Sequence, residues 1–93
     1  MNILIVEDED LAVKKIQKTL SSVDSEAVIT GITDSIKSTV EWLQQHPQPD
    51  LILMDIELAD GQSFEIFNLV DVKSPVVFTT SYDEYALKAF KVN

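Results

Sequence analysis

The chain has 93 residues, a net charge of −9 and no cysteine, and all 7 of its basic residues are lysines. The acidity argues against binding nucleic acid or an anionic membrane through this segment, and the lack of cysteine excludes disulfides, thiolate zinc sites and cysteine nucleophiles. With 45% apolar and 25% charged residues, 1–93 reads as one ordinary globular domain with a real core.

Strand and helix patterns alternate along the chain. Ile3-Leu4-Ile5-Val6 is a short apolar run that ends directly in Glu7-Asp8-Glu9-Asp10. It is far too short for a signal peptide or a membrane span, and the expected location is cytoplasmic. Val13, Ile16, Leu20 and Val23 then recur at the spacing of one helix face, with Lys14, Lys15 and Lys18 pointing elsewhere. Ala27 to Thr30 reads as a strand closed by Gly31. Thr33 or Asp34 caps a second helix with Ile36, Val40 and Leu43 inward, and His46-Pro47-Gln48-Pro49 ends it.

The central stretch is Leu51-Ile52-Leu53-Met54, held between Asp50 and Asp55, with prolines before it and the Asp60-Gly61 turn after. Such a run reads as a strand buried on both faces. Ser63 to Val70 has a short helical pattern through Phe67 and Val70. Pro75 opens a fourth strand, Val76 to Thr79. A last helix is expected from about Asp83, with Ala86, Ala89 and Phe90 as its stripe and Lys88 and Lys91 near its end.

Four such units imply a parallel sheet with right-handed crossovers and helices on both faces. Working groups in these sheets gather at the carboxyl ends of the strands. That places Glu7, Asp8 and Asp55 together with the hydroxyls of Thr79-Thr80-Ser81. Crowded carboxylates share a proton or hold a cation between them. Oxygen ligands suit Mg²⁺ or Ca²⁺, and Mg²⁺ fits better because it keeps several waters and leaves room for phosphate oxygens. A carboxylate beside it can attack a phosphoryl group, with a hydroxyl from Thr80 donating to a phosphoryl oxygen. Taken singly, these residues have plainer accounts: a solvated acidic turn, a helix cap, ordinary strand threonines. Their coincidence at three strand ends favours the chemistry. His46 reads as a surface residue, and Trp42 and the phenylalanines as packing residues. With Gly31 and Gly61 the only glycines, there is no phosphate-cradling loop. A phosphatase of the haloacid dehalogenase type would carry Asp-x-Asp on its first strand, whereas Asp55-Ile56-Glu57 follows the third.

Ile3 to Glu9, Asp50 to Ile56 and Pro75 to Ser81 together resemble the receiver domain of two-component response regulators, whose flavodoxin-like, doubly wound sheet has the order 2-1-3-4-5. Tyr82 to Phe90 is similar to receivers that precede a LytTR-type DNA-binding domain. The resemblance implies that Asp55 is the phospho-acceptor and Asp8 the principal metal carboxylate. It makes Glu7 the second acid, often Asp in the family, and Glu57 the residue whose backbone carbonyl binds Mg²⁺. Thr80, followed by the small Ser81, matches the switch hydroxyl, with Thr79 next in line. Ala59 stands where the family has Pro, which should loosen the turn. A sensor histidine kinase is the implied phosphodonor, transcription through a LytTR domain the implied output, and catalysis is limited to the domain's own phosphorylation and dephosphorylation. The alternative is a receiver-like interaction module that is not phosphorylated.

The family's fifth strand and helix would follow Asn93, and none of the seven lysines inherits the family's phosphoryl-binding Lys. The chain therefore resembles a receiver truncated before its last unit. On that reading Val76 to Thr79 is an open sheet edge, and the chain is expected either to self-associate, as a homodimer through edge pairing or element exchange, or to be a fragment of a longer product.

Overall fold

The computed structural model describes residues 1–79. The expected last helix and Thr80 lie outside the described residues. The elements are β1 (Asn2–Val6), α1 (Asp10–Val23), β2 (Val28–Thr33), α2 (Ile36–Gln45) and β3 (Leu51–Met54), followed by the short strands β4 (Glu57–Leu58) and β5 (Gly61–Gln62). A 3₁₀ turn (Ser63–Glu65), α3 (Ile66–Leu69) and β6 (Val76–Phe78) complete them. The main sheet is parallel and four-stranded, in the order β2-β1-β3-β6. With the small β4–β5 hairpin set aside, this is the 2-1-3-4 part of the expected order.

Side chains alternate across the sheet, so each inner strand feeds two cores. Leu4, Val6, Ile52 and Met54 pack with Ile36 and Leu43 of α2, Leu58, and Ile66 of α3. Ile3, Ile5 and Leu53 pack with Val13 of α1 on the other face. Leu4, Ile5, Val6, Ile52 and Met54 are all 0% exposed, which is why β1 and β3 read as unbroken apolar runs. Each such side chain contributes about 1.5–3 kcal/mol by leaving water.

Several local expectations need correction. β2 does not stop at Gly31 but runs through it to Thr33, while Ala27 precedes the strand. The register slips between Ile3 and Leu4, leaving Thr30 as the extra residue, with its hydroxyl donating to Ile3 O at 3.3 Å. Glycine is required at 31 by crowding: a Cβ there would lie 2.5 Å from Trp42 Nε1. The cap of α2 is neither Thr33 nor Asp34. Ser35 Oγ accepts from Ser38 N at 3.0 Å, and the Ser38 hydroxyl oxygen accepts from Ser35 N at 3.1 Å. Thr33 belongs to β2, and its hydroxyl meets that of Thr39 in the interior at 2.7 Å.

Val23, expected inward, is 78% exposed. At about 1.5 Å per helical residue against about 3.3 Å per strand residue, 14-residue α1 outruns 5-residue β1, so its last turn overhangs the sheet. Near α3 the anchor is Ile66, fully buried, rather than Phe67 or Val70, which are only partly so. His46 is exposed as expected, yet it stacks on Trp42 at 4.2 Å between ring centroids. The last strand is one residue shorter than expected, since β6 ends at Phe78.

Replacing Gly31 with Ala should press the indole away from β2 and destabilise the domain by about 1–3 kcal/mol. Urea unfolding followed by Trp42 fluorescence measures both the lost stability and the displaced ring.

Candidate functional site

The sheet's hydrogen-bond ladder continues just past the strand ends, and that continuation builds the site. Glu7 N donates to Thr33 O at 2.9 Å, Asp55 N to Val6 O at 2.9 Å, and Thr79 N to Met54 O at 2.8 Å. Glu7, Asp55 and Thr79 are thereby fixed side by side along the carboxyl edge. One carboxylate oxygen from each of Glu7, Asp8 and Asp55 lies within 4.8 Å of the others. Glu7 is 6% exposed, Asp55 is half-buried and Asp8 is open to solvent.

Burial is the main cause that pushes the Glu7 carboxyl up from 4.5 to about 7, and the neighbouring Asp55 charge adds to it. The Glu9 amide, donating to Glu7 Oε2 at 3.3 Å, opposes the shift. Asp55 is also raised, again chiefly by burial, against the pull of donors that include Ile56 N at 2.9 Å. Below about pH 7 the buried Glu7 carboxyl therefore favours its protonated form. An oxygen-only donor set at this spacing fits a hard divalent ion.

An open groove of about 400 Å³ lies beside Asp55 and Glu7, walled by Ile16, Leu20, Leu53 and Lys15. Thr79 lines it too, and its buried hydroxyl oxygen has no hydrogen-bond partner among the described residues. Lys15, expected to point elsewhere on α1, is therefore at the groove.

Glu57, two residues beyond Asp55, opens β4, where its exposed side chain accepts from Gln62 Nε2 at 3.2 Å. Sequence reasoning placed Glu7, Asp8, Asp55 and Thr79 at one edge, and they are there; Thr80 lies outside the described residues. What it missed is Asp60, whose carboxylate binds the start of α2. The signal available was only an acidic residue in an Asp-Gly turn, and its partners lie more than twenty positions upstream.

The family model for the response regulator receiver domain matches residues 3–93. The chain belongs to that family. Among curated relatives, the receiver is 38% identical to the sensory transduction protein LytT of Bacillus cereus over 96 residues, covering 100% of this chain and 38% of that protein. It is 31% identical to the transcriptional regulatory protein LytR of Staphylococcus aureus, with the same coverage of both. The response regulatory domain of protein mrkE from Klebsiella pneumoniae superposes with a TM-score of 0.77 at 29% identity, over 98% of this chain and 75% of that one. The receiver thus spans about 38% of the length of the LytT and LytR relatives. Among the described residues, no helix is long and apolar enough to cross a membrane.

A carboxyl whose folded-state pKa lies above its unfolded value binds more protons folded than unfolded between the two, so stability falls as pH rises through that window. For Glu7 the window runs from 4.5 to about 7. In chelator, the domain should lose on the order of 3 kcal/mol between its acidic and its alkaline limit, and Glu7→Gln should flatten most of the slope. Urea midpoints at pH 5 and pH 8 for the two proteins check this; a wild type more stable at pH 8 would contradict it.

Proposed function

We propose that this receiver accepts a phosphoryl group on Asp55 with Mg²⁺ held by Asp8, Asp55, Glu7 and the backbone carbonyl of Glu57. The observation that carries the reading is the convergence of three carboxylates within 4.8 Å at the carboxyl ends of β1 and β3. Bound there, the cation neutralises charge on the carboxylates and on phosphate oxygens. With a cation held there, Glu7 would give up the proton that its burial favours, and Asp55 would stand ionised as a nucleophile.

An Asp55 carboxylate oxygen then attacks phosphorus; the Oδ–P bond forms as the donor's bond to phosphorus breaks, and the leaving group departs with that electron pair. Thr80 donates its hydroxyl to a phosphoryl oxygen. Thr79 is the neighbouring candidate, supported by a hydroxyl on the Asp55 groove that has no partner among the described residues. The new hydrogen bond favours one of two arrangements of the segment after β6, which changes what a partner meets at Tyr82 to Phe90.

In cells the donor is a sensor histidine kinase in the cytoplasm, and the output is transcription through a LytTR-type domain, a reading supported by the likeness to LytT and LytR. The receiver's own catalysis is confined to gaining and losing this phosphate. The net charge of −9 supports a role in which this segment does not itself touch DNA.

With a small phosphodonor and Mg²⁺, wild type should incorporate phosphate and Asp55→Asn should incorporate none. Equal labelling of the two would place the acceptor elsewhere, and labelling of neither would leave a receiver-shaped interaction module. By calorimetry, Asp8→Asn should abolish Mg²⁺ binding while Glu9→Gln keeps it; equal affinities would remove the acidic pocket from the account.

A further inference from the structure

Asp60 sits in the two-residue turn of the β4–β5 hairpin, and its carboxylate reaches across to α2. One oxygen accepts from Ile36 N at 2.7 Å and the other from Lys37 N at 3.1 Å. These are the first two amides of the helix, which have no partner within it. The third, Ser38 N, is taken by Ser35 Oγ at 3.0 Å. The helix start is therefore closed by two devices, one local and one carried by the loop that follows Asp55.

Close approach is built in on the hairpin side. Gly61 has φ +138°, a conformation open to glycine, and a Cβ there would stand 3.2 Å from Ile36 Cδ1. A hairpin this short is marginal in water unless something outside holds it. Its ties to the rest of the described residues include Leu58, buried in the core, Asp60 on α2, and the Glu57 amide, which donates to the Asp55 carboxylate. Ser63 N closes its base on Ile56 O at 2.8 Å. Glu57 stands at the first position of this hairpin, beside Asp55.

We propose that Asp60 is a positioning residue for the acceptor loop: by tying the hairpin to the start of α2 it fixes where the Glu57 backbone stands relative to Asp55, and so sets the affinity for the metal. This rests on the Mg²⁺ reading given above. The Asp60 carboxyl is held below the usual range, chiefly by the Ile36 amide, so the tie persists throughout neutral pH.

The test compares Asp60→Ala, Asp60→Asn and Ser35→Ala in the full chain, with Mg²⁺ alone as the probe. Each alanine variant removes a cap from the same helix end and should lower Tm by roughly 5 °C. Only Asp60→Ala should also weaken Mg²⁺ binding, by about tenfold as for loss of an outer-shell support. Asp60→Asn, which keeps an accepting oxygen, should recover part of the loss. Ser35→Ala should stay within about twofold of wild type. Equal Mg²⁺ affinity in all four proteins, or equal weakening by both alanine variants, overturns the proposal. Hydrogen exchange of the Ser63 amide separates this from failure of the metal reading. Faster exchange in Asp60→Ala but not in Ser35→Ala upholds the clamp even if wild type binds no Mg²⁺. Unchanged exchange sinks it.

Discussion

The constraint on which this molecule turns is the crowding of three carboxylates at the carboxyl edge of a parallel sheet. Glu7 is the key member, because it is almost wholly buried and still within reach of both Asp8 and Asp55. An ionised carboxylate in that position is expensive without a partner. The sheet tolerates it because β1 and β3 are locked from both faces by apolar side chains, and because the ladder bonds of Glu7 and Asp55 to Thr33 and Val6 leave the backbone no freedom to carry the charges apart. Stability of the scaffold is what allows the site to stay electrostatically unfavourable.

The loop after Asp55 solves a second problem. It must leave the core, turn, and return to the 3₁₀ turn at Ser63 within a few residues, while presenting its backbone next to Asp55. Leu58 anchors one side of the hairpin and Asp60 the other. In the same bonds, the helix start gains the carboxylate that its dipole and its free amides favour. Site and helix are thus joined through a surface acid that has no direct part in the chemistry.

Much of this was legible in the sequence, for reasons tied to particular residues. Leu51 to Met54 and Ile3 to Val6 could be read as inner strands because burial on both faces leaves no polar alternation, and Asp55 and Glu7 then follow at their ends. β2 was harder: its run is broken by Thr30 and Gly31, and only the Trp42 indole lying against Gly31 explains why the strand continues. The cap of α2 was misplaced because Thr33, Asp34 and Ser35 are all good capping residues, and the buried Thr33–Thr39 hydroxyl pair that assigns Thr33 to the strand is a tertiary fact. Asp60 was invisible as a cap for the same reason, since nothing local links it to Ile36. Val23 followed the helical period faithfully yet had no sheet left to cover.

Mg²⁺ binding among Glu7, Asp8 and Asp55 would have to displace the proton that burial favours on Glu7. The direct measurement is the number of protons released when Mg²⁺ binds, obtained by calorimetry in buffers of different ionisation enthalpy across pH 6 to 9. With Glu7 raised to about 7, release should be about 0.5 proton per ion at pH 7, larger at pH 6, and should vanish by pH 9. Mg²⁺ binding with no proton release at any of these pH values would contradict the account.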